Sequence, residues 1–167
     1  MLDKPPSSFI DLESIITAKL DAAKKTAMPT SEMYRMHEDM TNLTRVYHKG
    51  NIDKNKLLEL QKAIGIAWQP GLITCENAAE FKLLIHTMCA TKEEAEEILE
   101  HENSHALAFI KNGCKVIYKV HVSKNPDDTF AFLPFISGLG DLSYEALNEV
   151  TLAPGSPSQL DENMLGK

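Results

Sequence analysis

His101, Glu102 and His105 stand in the run Ile98-Leu99-Glu100-His101-Glu102-Asn103-Ser104-His105-Ala106-Leu107 and spell His-Glu-x-x-His. On a helix, residues four apart lie one turn above each other on one face, so the two imidazoles can converge on a single metal ion. Glu102 then lies beside them, placed to hold a water and take its proton. The flanks suit such a site: Ile98, Leu99, Ala106 and Leu107 are apolar, and the two inner positions, Asn103 and Ser104, are uncharged. At helical spacing Ala95, Leu99, Glu102, Ala106 and Phe109 form one stripe, which sets Glu102 among apolar neighbours where a carboxylate without a partner is costly. A metal ion with its bound water would supply the partner. The competing reading is a plain surface helix: Glu93, Glu94, Glu96, Glu97 and Glu100 read as a solvated acidic face that two histidines simply continue.

The elements around the motif must hold it rigidly. Thr91 and Glu94 make a capping box and Gly113 a stop, which predicts a helix over 92–112 with the motif near its middle. Upstream, Ser7 and Ser8 cap a helix over 9–25 with Ile10, Ile15, Ile16 and Leu20 as candidate core. Pro29 breaks the chain, and Thr30 or Ser31 caps a second helix to about His48, stopped by Gly50. Its stripe of Met33, Met36, Met40, Leu43 and Tyr47 reads as core packing. There His37-Glu38 has Thr41 where a second histidine would be needed, so the metal motif is not repeated. Asp53 opens a helix to Ile64 closed by Gly65, residues 66–76 read as a connector, and 77–89 form another helix with Phe81, Leu84, Ile85 and Met88 inward; His86 near that stripe reads as a core or surface histidine.

Downstream the period changes. Residues 114–123 and 129–136 are rich in β-branched and aromatic types, and Asn125-Pro126-Asp127-Asp128 between them is strong turn chemistry, which together predict a β-hairpin. Pro134 confines its strand to an edge. Gly138 and Gly140 release the chain, Ser143 caps a short helix over 144–150, and Ser156 with Pro157 begins a last one through Asp161. The expected fold class is α+β: mainly helical, with the His-Glu-x-x-His helix, a hairpin at about 114–136 and short C-terminal helices. Residues 1–65 are expected as a helical N-terminal layer and 66–167 as the metal-binding part, the two making one compact domain.

With 167 residues the chain is long enough for a genuine core, and its 43% hydrophobic and 25% charged residues are ordinary for a globular protein. A net charge of −7 argues against nucleic acid as a partner, since phosphate binding needs clustered Lys and Arg. Cys75, Cys89 and Cys114 are odd in number and lack C-x-x-C spacing, which suits free thiols in a reducing cytoplasm. The first residues lack the apolar core of a signal peptide, and no stretch approaches the ~20 apolar residues of a membrane span.

The motif with its uncharged inner positions and apolar surround resembles the active-site helix of the zincin metallopeptidases. That resemblance implies a zinc cofactor, a metal-activated water, Glu102 as general base and a peptide or protein substrate. A catalytic zinc site takes three protein ligands and keeps a position for water. Downstream candidates for the third are Asp141, Glu145, Glu149 and Asp161, with His121 and Cys114 behind them. The metzincin pattern would require Gly at 108 and His at 111; Ala108 and Lys111 exclude that class. The gluzincin pattern, a glutamate on a later helix, implies Glu145 or Glu149. The peptidase domain of the AAA-linked metalloproteases uses an aspartate after a loop of small residues near a helix start, and the segment 153–161 is similar to that arrangement. On this resemblance Asp161 is the expected ligand, with Glu149 and Glu145 as alternatives. Tyr144, Tyr118 and His121 are open choices for stabilising the oxyanion, and the hairpin offers an edge strand to an extended peptide. Two other functions compete. Glu102 and His105 also satisfy the Glu-x-x-His spacing of di-iron carboxylate proteins, although those need a second such motif. A non-catalytic metal-binding or interaction protein is the other.

Overall fold

A computed structural model of the chain describes residues 9–139, 145–146, 149–150 and 153, with side chains from Asp11 onward. Within these residues the fold is α+β: five helices and a mixed sheet of four strands. In chain order they are α1 (Phe9–Thr26), β1 (Met28–Pro29), α2 (Thr30–His48), α3 (Lys54–Ala67), β2 (Leu72–Thr74), α4 (Ala78–Met88), α5 (Lys92–Lys111), β3 (Lys115–Lys124) and β4 (Phe130–Leu139).

Strand β3 is the axis of the sheet. Along one edge it pairs over its whole length with β4, from Lys115↔Leu139 to Lys124↔Phe130, antiparallel as a hairpin requires. Its other edge is shared: β2 pairs antiparallel through Leu72↔His121 to Thr74↔Lys119, and β1 pairs parallel at Met28↔Ser123 and Pro29↔Lys124. The hairpin turn is closed by Asp128 N–H donating to the Asn125 carbonyl at 3.0 Å, with Asp128 at φ 67°. Aspartate tolerates that left-handed backbone better than most non-glycine residues. Asp127 accepts from both the amide and the hydroxyl of Thr129, and these bonds hold its carboxyl below the usual range.

Because side chains on a strand alternate between faces, β3 serves two layers. Val120 and Val122 point into the main core with Ile16, Leu20 and Ala23 of α1, Ile73 of β2, Phe81, Leu84 and Ile85 of α4, and Ala95 and Leu99 of α5. Tyr118, in register with them, leans on Phe81. His121 and Ser123 point the other way, to α2: His121 meets His37, and the Ser123 hydroxyl meets that of Thr30 at 2.9 Å. The sheet therefore lies between α1, α4 and α5 on one face and α2 with the end of α3 on the other. The first 65 residues divide between both faces rather than lying together on one.

Several local expectations are corrected. Ile15 is not core but 45% exposed, because the buried arc of α1 runs through Ile16, Leu20 and Ala23. Neither Thr30 nor Ser31 caps α2. Pro29 holds the cap position without a side-chain bond, and the Thr30 hydroxyl is spent on Ser123 and Asn125. Asp53 does cap α3, accepting from Lys56 N at 2.7 Å, but the helix runs past Gly65 to Ala67. The connector contains strand β2, entered through a turn at Gln69-Pro70-Gly71-Leu72 that the Leu72 amide closes onto the Gln69 carbonyl. Gly138 does not release the chain but lies inside β4, opposite Val116. The Ser7/Ser8 cap, the side chain of Ile10, the Ser143 cap and the final 156–161 helix lie outside the described residues; 145–146 and 149–150 are helical.

No helix among the described residues is long and apolar enough to cross a membrane.

Candidate metal centre on helix α5

Helix α5 starts as its sequence dictates: the Thr91 hydroxyl accepts from Glu94 N at 3.2 Å, and Gly113, at φ 80°, follows the Asn112 cap. Its acidic first half, Glu93, Glu94, Glu96, Glu97 and Glu100, is exposed. Its apolar stripe lies where helical spacing put it, with Ala95, Leu99 and Ala106 buried, and Glu102 buried among them at 8% exposure. The C-terminal half lies close on the sheet, because β4 offers no side chain at Gly138: a Cβ there would come within 2.3 Å of the Phe109 ring. Close approach at one end and core contacts at the other fix the rotation of α5, and with it the direction of the motif.

At about 100° per residue, His101 and His105 flank the buried stripe on the side where residues 149 and 150 pass. His105 is buried and His101 half-buried. The His105 Nδ1 lies 2.8 Å from the Val150 carbonyl oxygen. A carbonyl only accepts, so Nδ1 carries the hydrogen. Metal-ligating histidines are held in this way, one nitrogen donating to a carbonyl or carboxylate while the other faces the ion. Two imidazoles bound to one tetrahedral zinc at ~2.0–2.1 Å have ring centroids roughly 5 Å apart; those of His101 and His105 are 5.0 Å apart, with planes at 78°. The two imidazoles and the buried Glu102 are thus of the types a zinc site uses, with the ring centroids at a separation such a site allows.

The expected third ligands fall in different places. Asp161 and Asp141 lie outside the described residues. Glu149 is one residue from the Val150 carbonyl that holds His105, but its carboxylate is 2.9 Å from Lys111 Nζ at the end of α5. That hydrogen-bonded ion pair holds the Glu149 carboxyl below its ordinary value. Glu145 is exposed. Cys114 is buried where α5 gives way to β3, two turns of helix and the Asn112-Gly113 cap beyond His105. His121 points to the opposite face of the sheet and has both ring nitrogens engaged, so it can neither join these ligands nor reach an oxyanion beside them. Tyr118 does share the α5 face, and Tyr144 lies outside the described residues. Among the described residues, no group of three or more His, Cys, Asp or Glu side chains is gathered closely enough to hold a metal ion.

Two features of the site had no signal in the sequence. The Val150 acceptor is a backbone oxygen, which no residue type announces. The stacking of Phe109 over Gly138 needed the register of the hairpin. The cysteines are free, as expected. Cys75 is unreactive, its thiol pushed up to about 12 by burial and then by the Glu80 carboxylate beside it. Glu80 is itself buried and paired with Lys19, which ties α1 to α4.

Compared with protein-family models, curated proteins and solved structures, the chain matches none.

Proposed function

We propose that this chain is a zinc-dependent peptidase in which His101 and His105 bind the metal and Glu102 is the general base. The observation that carries the reading is the His105 Nδ1–H bond to the Val150 carbonyl, because metal-ligating imidazoles are oriented by donating their other ring N–H to a carbonyl or carboxylate. When bound, zinc would polarise the scissile carbonyl and lower the pKa of a water toward ~7. Glu102 would take the proton from that water and pass it to the leaving amine, and its burial among Ala95, Leu99 and Ala106 limits access of competing water. Asp161 is the proposed third ligand, with Glu149 and Glu145 as alternatives. Glu149 would first have to give up Lys111.

The substrate is proposed to be an intracellular peptide or protein in extended form. Among the described residues β4 is paired on one side only, so its outer edge offers backbone donors and acceptors beside α5, interrupted at Pro134. The di-iron alternative is disfavoured because Glu102 and His105 lie on a helix packed against a sheet, not within a bundle of four helices.

A Glu102→Gln variant tests the assignment. It is expected to take up zinc as the wild type does while peptide hydrolysis falls about 10²–10⁴-fold, the usual contribution of a general base. Unchanged hydrolysis excludes Glu102 as the base. Zinc uptake with no hydrolysis by the wild type would make the site a structural or binding one.

A further inference from the structure

The opposite face of the sheet carries a second pair of histidines that the metal site does not use. His37 of α2 is 7% exposed and His121 of β3 is fully buried. His121 Nε2 lies 3.0 Å from the Pro70 carbonyl oxygen, so that nitrogen is the donor and Nδ1 of the neutral ring is an acceptor. His37 Nε2 lies 3.1 Å from that Nδ1 and must donate to it, which leaves His37 Nδ1 without a hydrogen. The bonds form one directional chain, His37 to His121 to Pro70, and it requires the His121 ring to be neutral; His37 is kept neutral by burial beside Lys119.

The surroundings enforce that state. His37 is stacked on Trp68 at 4.7 Å between centroids, and Phe135 of β4 stands edge-on to it at 4.8 Å. From α2 itself, Thr41 turns its hydroxyl back to the His37 carbonyl. From β3, the charge facing the pair is Lys119, whose ammonium lies over Phe135. Among the described residues no carboxylate enters the electrostatics of either ring. Burial first, then His121 and Lys119, lowers the pKa of His37 to about 3, and burial lowers that of His121. The Trp68 indole N–H already lacks an acceptor among the described residues, so this pocket is a poor host for one more N–H. A proton on His121 Nδ1 would set two donors against each other, and a proton on His37 would bury a cation next to Lys119.

We propose that the His37–His121 pair is an acid-sensitive latch that holds α2 and the end of α3 on the sheet at neutral pH and lets them open as pH falls toward 5. The main core, with α1, α4 and α5 against Val120 and Val122, has no histidine among its described buried residues and stays closed. The latch does not depend on the metal site, which lies on the other face.

Hydrogen exchange of the full chain at pH 7.0 and 5.0, corrected for the intrinsic rate at each pH, reads the latch. Peptides from α2 are expected to lose protection at pH 5.0 by at least about 25-fold, the factor for one imidazole free to bind a proton at its ordinary pKa only in the open state. Peptides from α4 and α5 keep theirs. His37→Gln retains an N–H donor to His121 and cannot become cationic, so its α2 response shrinks by about 25-fold. Emission from Trp68, the one tryptophan in the chain, should change over the same pH range. Equal α2 protection at both pH values, loosening of α2, α4 and α5 together, or a full response in His37→Gln would each overturn the proposal. The wild-type comparison decides by itself if the variant does not fold.

Discussion

At the scale of single residues, the same side chain plays opposite parts on the two faces of the sheet. His105 is oriented by a bond from Nδ1 to a backbone carbonyl, whereas His121 has both nitrogens occupied and is held neutral. The difference has a measurable consequence for stability. A histidine with a depressed folded-state pKa binds protons more readily when unfolded, so its contribution is present above the unfolded value near 6.5 and is lost as pH falls from there toward about 3. Urea denaturation at pH 7 and pH 5 is expected to show a loss of about 2 kcal/mol from His37, and His37→Gln to lose correspondingly less. The burial of Glu102 was legible in the sequence, because Ala95, Leu99, Ala106 and Phe109 surround it at helical spacing. The pairing of His37 with His121 was not: the residues are 84 positions apart, and neither shares a motif with the other.

At the scale of elements, two glycines set how closely the layers approach. Gly71 has φ 80°, and a Cβ there would come within 2.1 Å of the Val122 carbonyl oxygen. Its own carbonyl accepts from Val122 N at 2.7 Å and its amide donates to the Thr26 hydroxyl, so the turn cannot move aside without losing both bonds. Gly71→Ala combines backbone strain with a clash against backbone and is expected to cost about 3 kcal/mol or more in urea denaturation. At Gly138 the obstacle is the Phe109 ring. Gly138→Ala should cost about 1–3 kcal/mol by overpacking, and less when Phe109 is already Ala, a coupling that a double-mutant cycle measures. The long elements were legible, since α1, α2, α4, α5 and the hairpin each carry several periods or a strong turn. Strands β1 and β2, of two and three residues, are too short to show alternation. They exist because β3 needs partners on its second edge.

At the scale of the molecule, β3 is bonded on both edges and covered on both faces, while β4 has one partner among the described residues. Amide exchange should therefore be slowest in 118–122 and faster in alternate amides along the outer edge of β4, which hydrogen-exchange mass spectrometry or NMR would resolve. The α+β class and the order of the larger elements were readable from periodicity. The split of the first 65 residues across two faces was not, because amphipathic helices show that they pack and not on which side of a sheet. The motif on α5 rests on that architecture: the core holds the helix, the sheet holds its end, and a later segment supplies the carbonyl that orients His105. The most direct test is calorimetric titration of the metal-free protein with zinc, alongside His101→Ala and His105→Ala. The account predicts one zinc per chain, with binding lost or severely weakened in each variant. No binding by the wild type, or binding that survives when both histidines are replaced, would contradict it.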